Sequence, residues 1–155
     1  MEENNVGLNK CRKDYCPEMH TAEHILNQTM VRMFGCSRSV NAHIERKKSK
    51  CDYILEKPLT DGELAEVERT VNEVIGRNLP VTAEIVSREE AAALADLSKL
   101  PGDASENVRI VRVGDYDVCA CIGEHVGNTS EIGRFRFLNC DFSDGRMRVR
   151  FTVEK

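Results

Sequence analysis

"RFRFLNCDFSDGRMRVRFTVE", residues 134–154, is the stretch that decides the fold. Ser143-Asp144-Gly145 separates two β-rich runs and reads as the turn of a hairpin. In the second run Met147, Val149, Phe151 and Val153 alternate with Arg148, Arg150 and Thr152. Successive strand side chains point to opposite faces, so this strand has one apolar side and one charged side. Such one-sided alternation belongs to an antiparallel sheet covered on one face only. The cover has to come from helices elsewhere in the chain. The expectation is therefore an α+β domain: a mainly antiparallel sheet with helices packed on one face.

The segments upstream fit that plan. "VRIVRV" and "YDVCACI" flank Gly114-Asp115 and read as a second hairpin. The first helix is expected over Pro17–Phe34, with proline at its start and Gly35 as its stop. Ala22, Leu26, Met30 and Met33 form its apolar stripe, and His20 and His24 share another face. "SVNAHIE" and "KCDYILE" are strand-like, with a charged turn over residues 46–50. Thr60 and Glu63 form a capping box for a second helix with Leu64, Val67, Val71 and Val74 on one face, ended by Pro80. "VTAEIV" is a short strand, and Ser87 with Glu90 opens a third helix over "SREEAAALADLSKL". Residues 1–13 read as a loose N-terminal segment and 14–155 as a single domain.

Composition narrows the function classes. A chain of 155 residues can bury a sizeable core as one domain. Its longest apolar runs, such as Ala91 to Ala95, are far too short to span a membrane, and the polar N-terminus has no signal-peptide core. A cytoplasmic protein is expected. Seven cysteines without a dense framework point to free thiols or metal ligands rather than disulfides. The formal net charge of −4 argues against gripping DNA or RNA by bulk charge. Local basic clusters remain: Arg46, Lys47, Lys48 and Lys50; Arg134 and Arg136; and Arg146, Arg148 and Arg150. They read either as solvated faces or as a phosphate-binding surface.

Three of the four histidines sit in two short pairs. "HTAEH" offers His20 and His24 from one helical face, and "CIGEH" offers Cys121 and His125 around the end of a strand. Three imidazoles and one thiolate suit zinc, a borderline-soft ion that takes nitrogen and sulfur donors. Gly123 would let the backbone bend so that Cys121 and His125 converge. Cys119 shares a strand face with Cys121 and is a rival ligand; so is Cys16, four residues before His20. The preferred reading of both is a small buried side chain. A metalloprotease is disfavoured, since Thr21 stands directly after His20 where that motif needs glutamate, and Glu23 lies two positions further on.

"HTAEHIL" resembles the first motif of the alanyl-tRNA synthetase editing domain and its relatives. "CIGEHVGNTSEIG" resembles the second. Between them "VERTVNEVIGRNLPV" is similar to the family's middle helix and "VRIVRVGDYDVCAC" to the strand pair before the second motif. The resemblance covers nearly all of the chain after about residue 14, and the related threonyl-tRNA synthetase editing domain shares it. It implies that His20, His24, Cys121 and His125 are zinc ligands. It implies a hydrolase that removes a wrong amino acid, serine or glycine, from tRNA for alanine. It also implies a free-standing, short-form protein whose partner is aminoacyl-tRNA. Ile122 stands where the family usually has glycine and Glu124 where it usually has threonine, and the segment from Cys36 to Lys57 matches poorly. Glu124 is either an added acid or base or a solvated turn residue. Thr129 and Ser130 are candidate substrate contacts or turn caps; Lys47, Lys48, Arg134 and Arg136 are candidate tRNA contacts. The departures favour one rival, a non-catalytic module that binds zinc and tRNA. Another is a zinc hydrolase of small esters.

Overall fold

The computed structural model describes residues 16–94 and 107–154. The expected loose segment 1–13 and the part of the third helix beyond Leu94 lie outside them. In chain order the elements are α1 (Pro17–Phe34), β1 (Asn41–His43), β2 (Ser49–Ile54), α2 (Asp61–Ile75), β3 (Val81–Ser87), α3 (Arg88–Leu94), β4 (Asn107–Val113), β5 (Asp117–Ala120), β6 (Arg134–Ser143) and β7 (Arg146–Glu154). A short 3-10 turn, Thr129–Glu131, precedes β6.

The deciding hairpin forms as read. β6 and β7 pair antiparallel with Ser143 opposite Arg146, which leaves Asp144 and Gly145 as a two-residue loop. Both have positive φ, 53° and 77°, the backbone of a type I′ turn. Met147, Val149 and Phe151 are fully buried, while the arginines between them are not. β2 pairs with the other edge of β7, and β1 with β2, giving a four-stranded sheet β1-β2-β7-β6.

The strands divide into two sheets rather than one. β3, β4 and β5 make a separate three-stranded antiparallel sheet. Its own small cluster joins Ala91 of α3 to Val108 and Ile110. The main core is sealed by α1 and α2 against the inner face of the larger sheet. Met19, Ala22, Leu26 and Met30 meet Val67, Val71 and Val74, with Phe135, Met147, Val149 and Phe151 beneath. Burying each such large side chain contributes about 1.5–3 kcal/mol.

The starts of α1 and α2 are as the sequence implies. Pro17 opens α1, and Gly35 closes it in the left-handed conformation at φ 69°. Thr60 and Glu63 form the capping box of α2. The apolar stripe of α1 needs correction: Met33, expected in it, is 37% exposed. Around that stripe the helix also buries Thr21, Glu23, His24, Asn27 and Thr29. A helix burying polar groups all round has to supply partners for each of them. Those partners make the site.

Candidate metal centre

α1 presents His20 and His24 one turn apart toward the loop that follows β5. Cys121 is the first residue beyond that strand, and His125 lies four residues on. Arg109 of β4 shapes the loop: its guanidinium donates to the carbonyls of Cys121 at 3.0 Å and Gly123 at 2.7 Å. Cys121 N–H in turn donates to Arg109 O at 3.1 Å. Between Cys121 and His125 the Gly123 N–H donates to Cys121 Sγ at 3.4 Å. Thr21, between the two histidines, stitches helix to loop. Its Oγ1 accepts from Val126 N–H at 3.2 Å and lies 2.9 Å from His125 Nδ1.

One donor atom from each of His20, His24, Cys121 and His125 falls within 4.8 Å of all the others. Cys121 Sγ is 3.5 Å from both His20 Nε2 and His125 Nε2. The outward nitrogens are also engaged. His20 Nδ1 meets Glu124 O at 3.3 Å, and His125 Nδ1 meets Thr21. His24 Nδ1 faces Asp117 Oδ2 at 3.5 Å, an ion-pair distance without hydrogen-bond alignment. Outer partners of this kind orient imidazoles whose inner nitrogens bind a metal. Asp117 is itself clamped by Arg38, at 2.7 and 3.2 Å, and by Gln28 at 2.9 Å.

The electrostatics fit a cation. Burial opposes ionisation of Cys121, but hydrogen bonds from His125, His20 and His24 outweigh it and bring the thiol down to about 2. Burial and the neighbouring imidazoles bring His125 down to about 4, against the pull of the thiolate. For His24 burial is again the largest effect and lowers it; Asp117 and Cys121 together overcome it, raising the imidazole well above its usual value. Burial raises Asp117, and His24 and Arg38 reverse that, to about 2. These shifts favour a thiolate at Cys121 and a proton on His24. A soft-to-borderline dication would take the place of that proton, and three nitrogens with one thiolate are donors zinc accepts.

Glu23 adds a carboxylate to the site, and its spacing of three residues from His20 is the signal that could have placed it there. It is buried, with Oε1 3.8 Å from His20 Nε2 and 3.9 Å from His24 Nε2. Its other oxygen accepts from Asn27 Nδ2 at 2.6 Å, and Asn27 Oδ1 accepts from the buried Tyr53 hydroxyl at 2.6 Å. No local pattern marks Arg109, Arg38, Asp117 or Thr21. Apart from Arg109, whose partners Cys121 and Gly123 are 12 and 14 positions on, their partners lie 79 to 105 positions away along the chain.

The remaining candidates fall elsewhere. Cys16 is buried at the start of α1 and donates to Glu18 Oε1 at 3.3 Å; Cys119 turns to Ala120 O at 3.4 Å. Neither joins the four donors. All six described cysteines are free thiols. Thr129 is buried, its hydroxyl committed to Ile75 O and Leu79 N–H, both at 2.9 Å, while Ser130 is exposed. Asn128, rather than either of them, caps the turn, accepting from Ser130 N–H at 2.9 Å. The Glu124 side chain is exposed, and its carbonyl is what reaches His20. Arg134 and Arg136 are exposed on the sheet face opposite the one that covers α1, with Arg136 paired to Glu154 at 2.8 Å. Exposed Lys47 and Lys48 adjoin them: Lys47 O accepts from Thr152, which pairs with Arg136. No described helix is long and apolar enough to cross a membrane.

Residues 108–151, which carry β4, β5, Cys121 and His125, match the family described as the threonyl and alanyl tRNA synthetase second additional domain. Similarity to alanine–tRNA ligases extends further. The ligase of Pseudothermotoga lettingae is 34% identical over 132 residues, 84% of this chain and 15% of the relative. That of Treponema denticola is 31% identical over 137 residues, 87% of this chain and 23% of the relative. That of Methylacidiphilum infernorum is 39% identical over 121 residues, 77% of this chain and 13% of the relative. The chain is related to the alanyl-tRNA synthetases over most of its length. It spans less than a quarter of the length of these synthetase relatives, and both halves of the donor cluster come from this alanyl-tRNA-synthetase-related domain.

Proposed function

We propose that the chain is an aminoacyl-tRNA deacylase that hydrolyses mischarged tRNA, with serine- or glycine-charged tRNA for alanine as its substrates. The observation that carries this reading is the convergence of His20, His24, Cys121 and His125 in a synthetase-related chain. These four would hold zinc, which when bound supplies a Lewis acid; with four protein donors in place, one has to give way, or the coordination expand, before a water or the ester can bind. Asp117, Thr21 and the Glu124 carbonyl would keep the three imidazoles aimed inward. Arg109 would keep Cys121 and the loop in place beneath the ester. Lys47, Lys48, Arg134 and Arg136 would contact phosphates of the tRNA body, positioning it without reading the amino acid.

The second reading is a non-catalytic zinc- and tRNA-binding module. Four protein donors complete a tetrahedral set, which is the composition of structural rather than catalytic zinc sites. Deacylation of seryl-tRNA for alanine by the purified protein separates the two, with alanyl-tRNA for alanine and the Cys121→Ala variant as controls. Fast release of serine but not alanine, abolished in the variant, is expected. Zinc bound without turnover of seryl- or glycyl-tRNA would overturn the deacylase reading in favour of the module.

A further inference from the structure

Glu23 is a carboxylate in the wrong place for a purely structural residue. It is 8% exposed, and among the described residues no lysine or arginine stands within ion-pair distance of it. A buried charge is costly unless a partner offsets it. One oxygen is fixed by Asn27, which Tyr53 fixes in turn. The other is aimed between the two imidazole nitrogens that would face a metal. With those two nitrogens turned toward a metal, Oε1 stands beside the same point from the α1 side. The carboxylate is then left facing whatever enters beside the metal.

We propose that Glu23 Oε1 binds the α-ammonium group of the aminoacyl ester. The proposal rests on the deacylase reading for the identity of the ligand. In an α-aminoacyl ester the ammonium is two bonds from the carbonyl carbon. An ester carbonyl seated at the donor cluster therefore brings its ammonium to the cluster's rim, where Glu23 is the carboxylate present. The incoming charge compensates the buried one, and the charge-assisted hydrogen bond is of the strong kind. Serine and glycine share this group, so a single contact serves both. The contact does not discriminate against alanine. It selects aminoacyl esters over other esters, and so argues against a hydrolase of small esters that lack an amino group.

The test uses zinc-loaded full-length protein and tRNA for alanine ending in 3′-amino-3′-deoxyadenosine, which carries serine through an amide that is not turned over. Wild-type protein should bind this probe about 10- to 100-fold more tightly than its N-acetylated counterpart, the loss expected for a hydrogen bond to a charged group. Glu23→Gln should keep its zinc content and melting temperature, lose the same factor on the free amine, and bind the acetylated probe like wild type. Equal wild-type affinity for the two probes overturns the proposal without any mutant, as does a Glu23→Gln variant that still prefers the free amine. Loss of zinc from Glu23→Gln also overturns it, because the carboxylate is then a metal ligand. Turnover of seryl-tRNA, measured in parallel, distinguishes the failures. Ester hydrolysis without amine preference sinks this proposal alone, whereas amine preference without hydrolysis sinks the deacylase reading alone.

Discussion

At the scale of single residues, the site depends on groups that never touch the donor cluster's interior. Asp117 is the clearest. Fully buried, it faces His24 Nδ1 and is held by Arg38 and Gln28. Its carboxylate sets which His24 nitrogen is free to bind a metal. Asp117→Asn keeps the shape and removes the charge, and should weaken zinc binding about 10- to 100-fold. Competition with a chromophoric chelator measures this; unchanged affinity would show that Asp117 acts only in packing. The sequence made the four donors legible because each pair is local, four residues apart. It could not reveal Asp117, since the pairing with Arg38 depends on how α1 and β5 are brought together.

At the scale of elements, the ends of α1 and the deciding hairpin were readable because local chemistry sets them. Pro17, Gly35 and the Asp144-Gly145 turn need only backbone preferences to declare themselves. Two glycines separate backbone strain from crowding. A Cβ on Gly35 meets nothing within 4 Å, so Gly35→Ala should cost only its left-handed backbone, about 1–2 kcal/mol. Gly114 has φ 52° and a Cβ there would stand 2.9 Å from Leu79 Cδ2. Gly114→Ala should therefore destabilise more than Gly35→Ala in urea unfolding; equal losses would mean that Leu79 yields freely. The exposed Met33 and the polar residues buried in α1 were misread or missed for one reason. Helical periodicity assigns a residue to a face, but not how much of the helix's circumference its neighbours enclose.

At the scale of the whole molecule, a net charge of −4 coexists with a basic sheet face. Arg134, Arg136, Arg148 and Arg150 share the outer side of the larger sheet, tempered by Asp52, Asp141 and Glu154. The donor cluster belongs to α1 and the β5 loop, on the other side. A tRNA contacting both would have to reach around the edge of the domain. Its affinity should fall with salt, and Arg134→Gln with Arg136→Gln together should reduce the slope of log affinity against log salt by about 1–2. An unchanged slope would move the tRNA to another face.

What the sequence determined by itself was everything that repeats or pairs over a few residues. That covers the alternation that makes β7 one-sided, the capping boxes, the hairpin turn, and the two local pairs His20/His24 and Cys121/His125. Tertiary structure alone decided three other matters. It split the strands into two sheets. It brought the two donor pairs, about a hundred residues apart, into one cluster. It also set the Glu23 carboxylate against the Nε2 atoms of both His20 and His24, whereas helical spacing by itself pairs it only with His20. The physical reason is the same in each case. Periodicity records which side of an element is apolar, whereas the partners that satisfy a buried polar group are set by the packing of distant elements against one another.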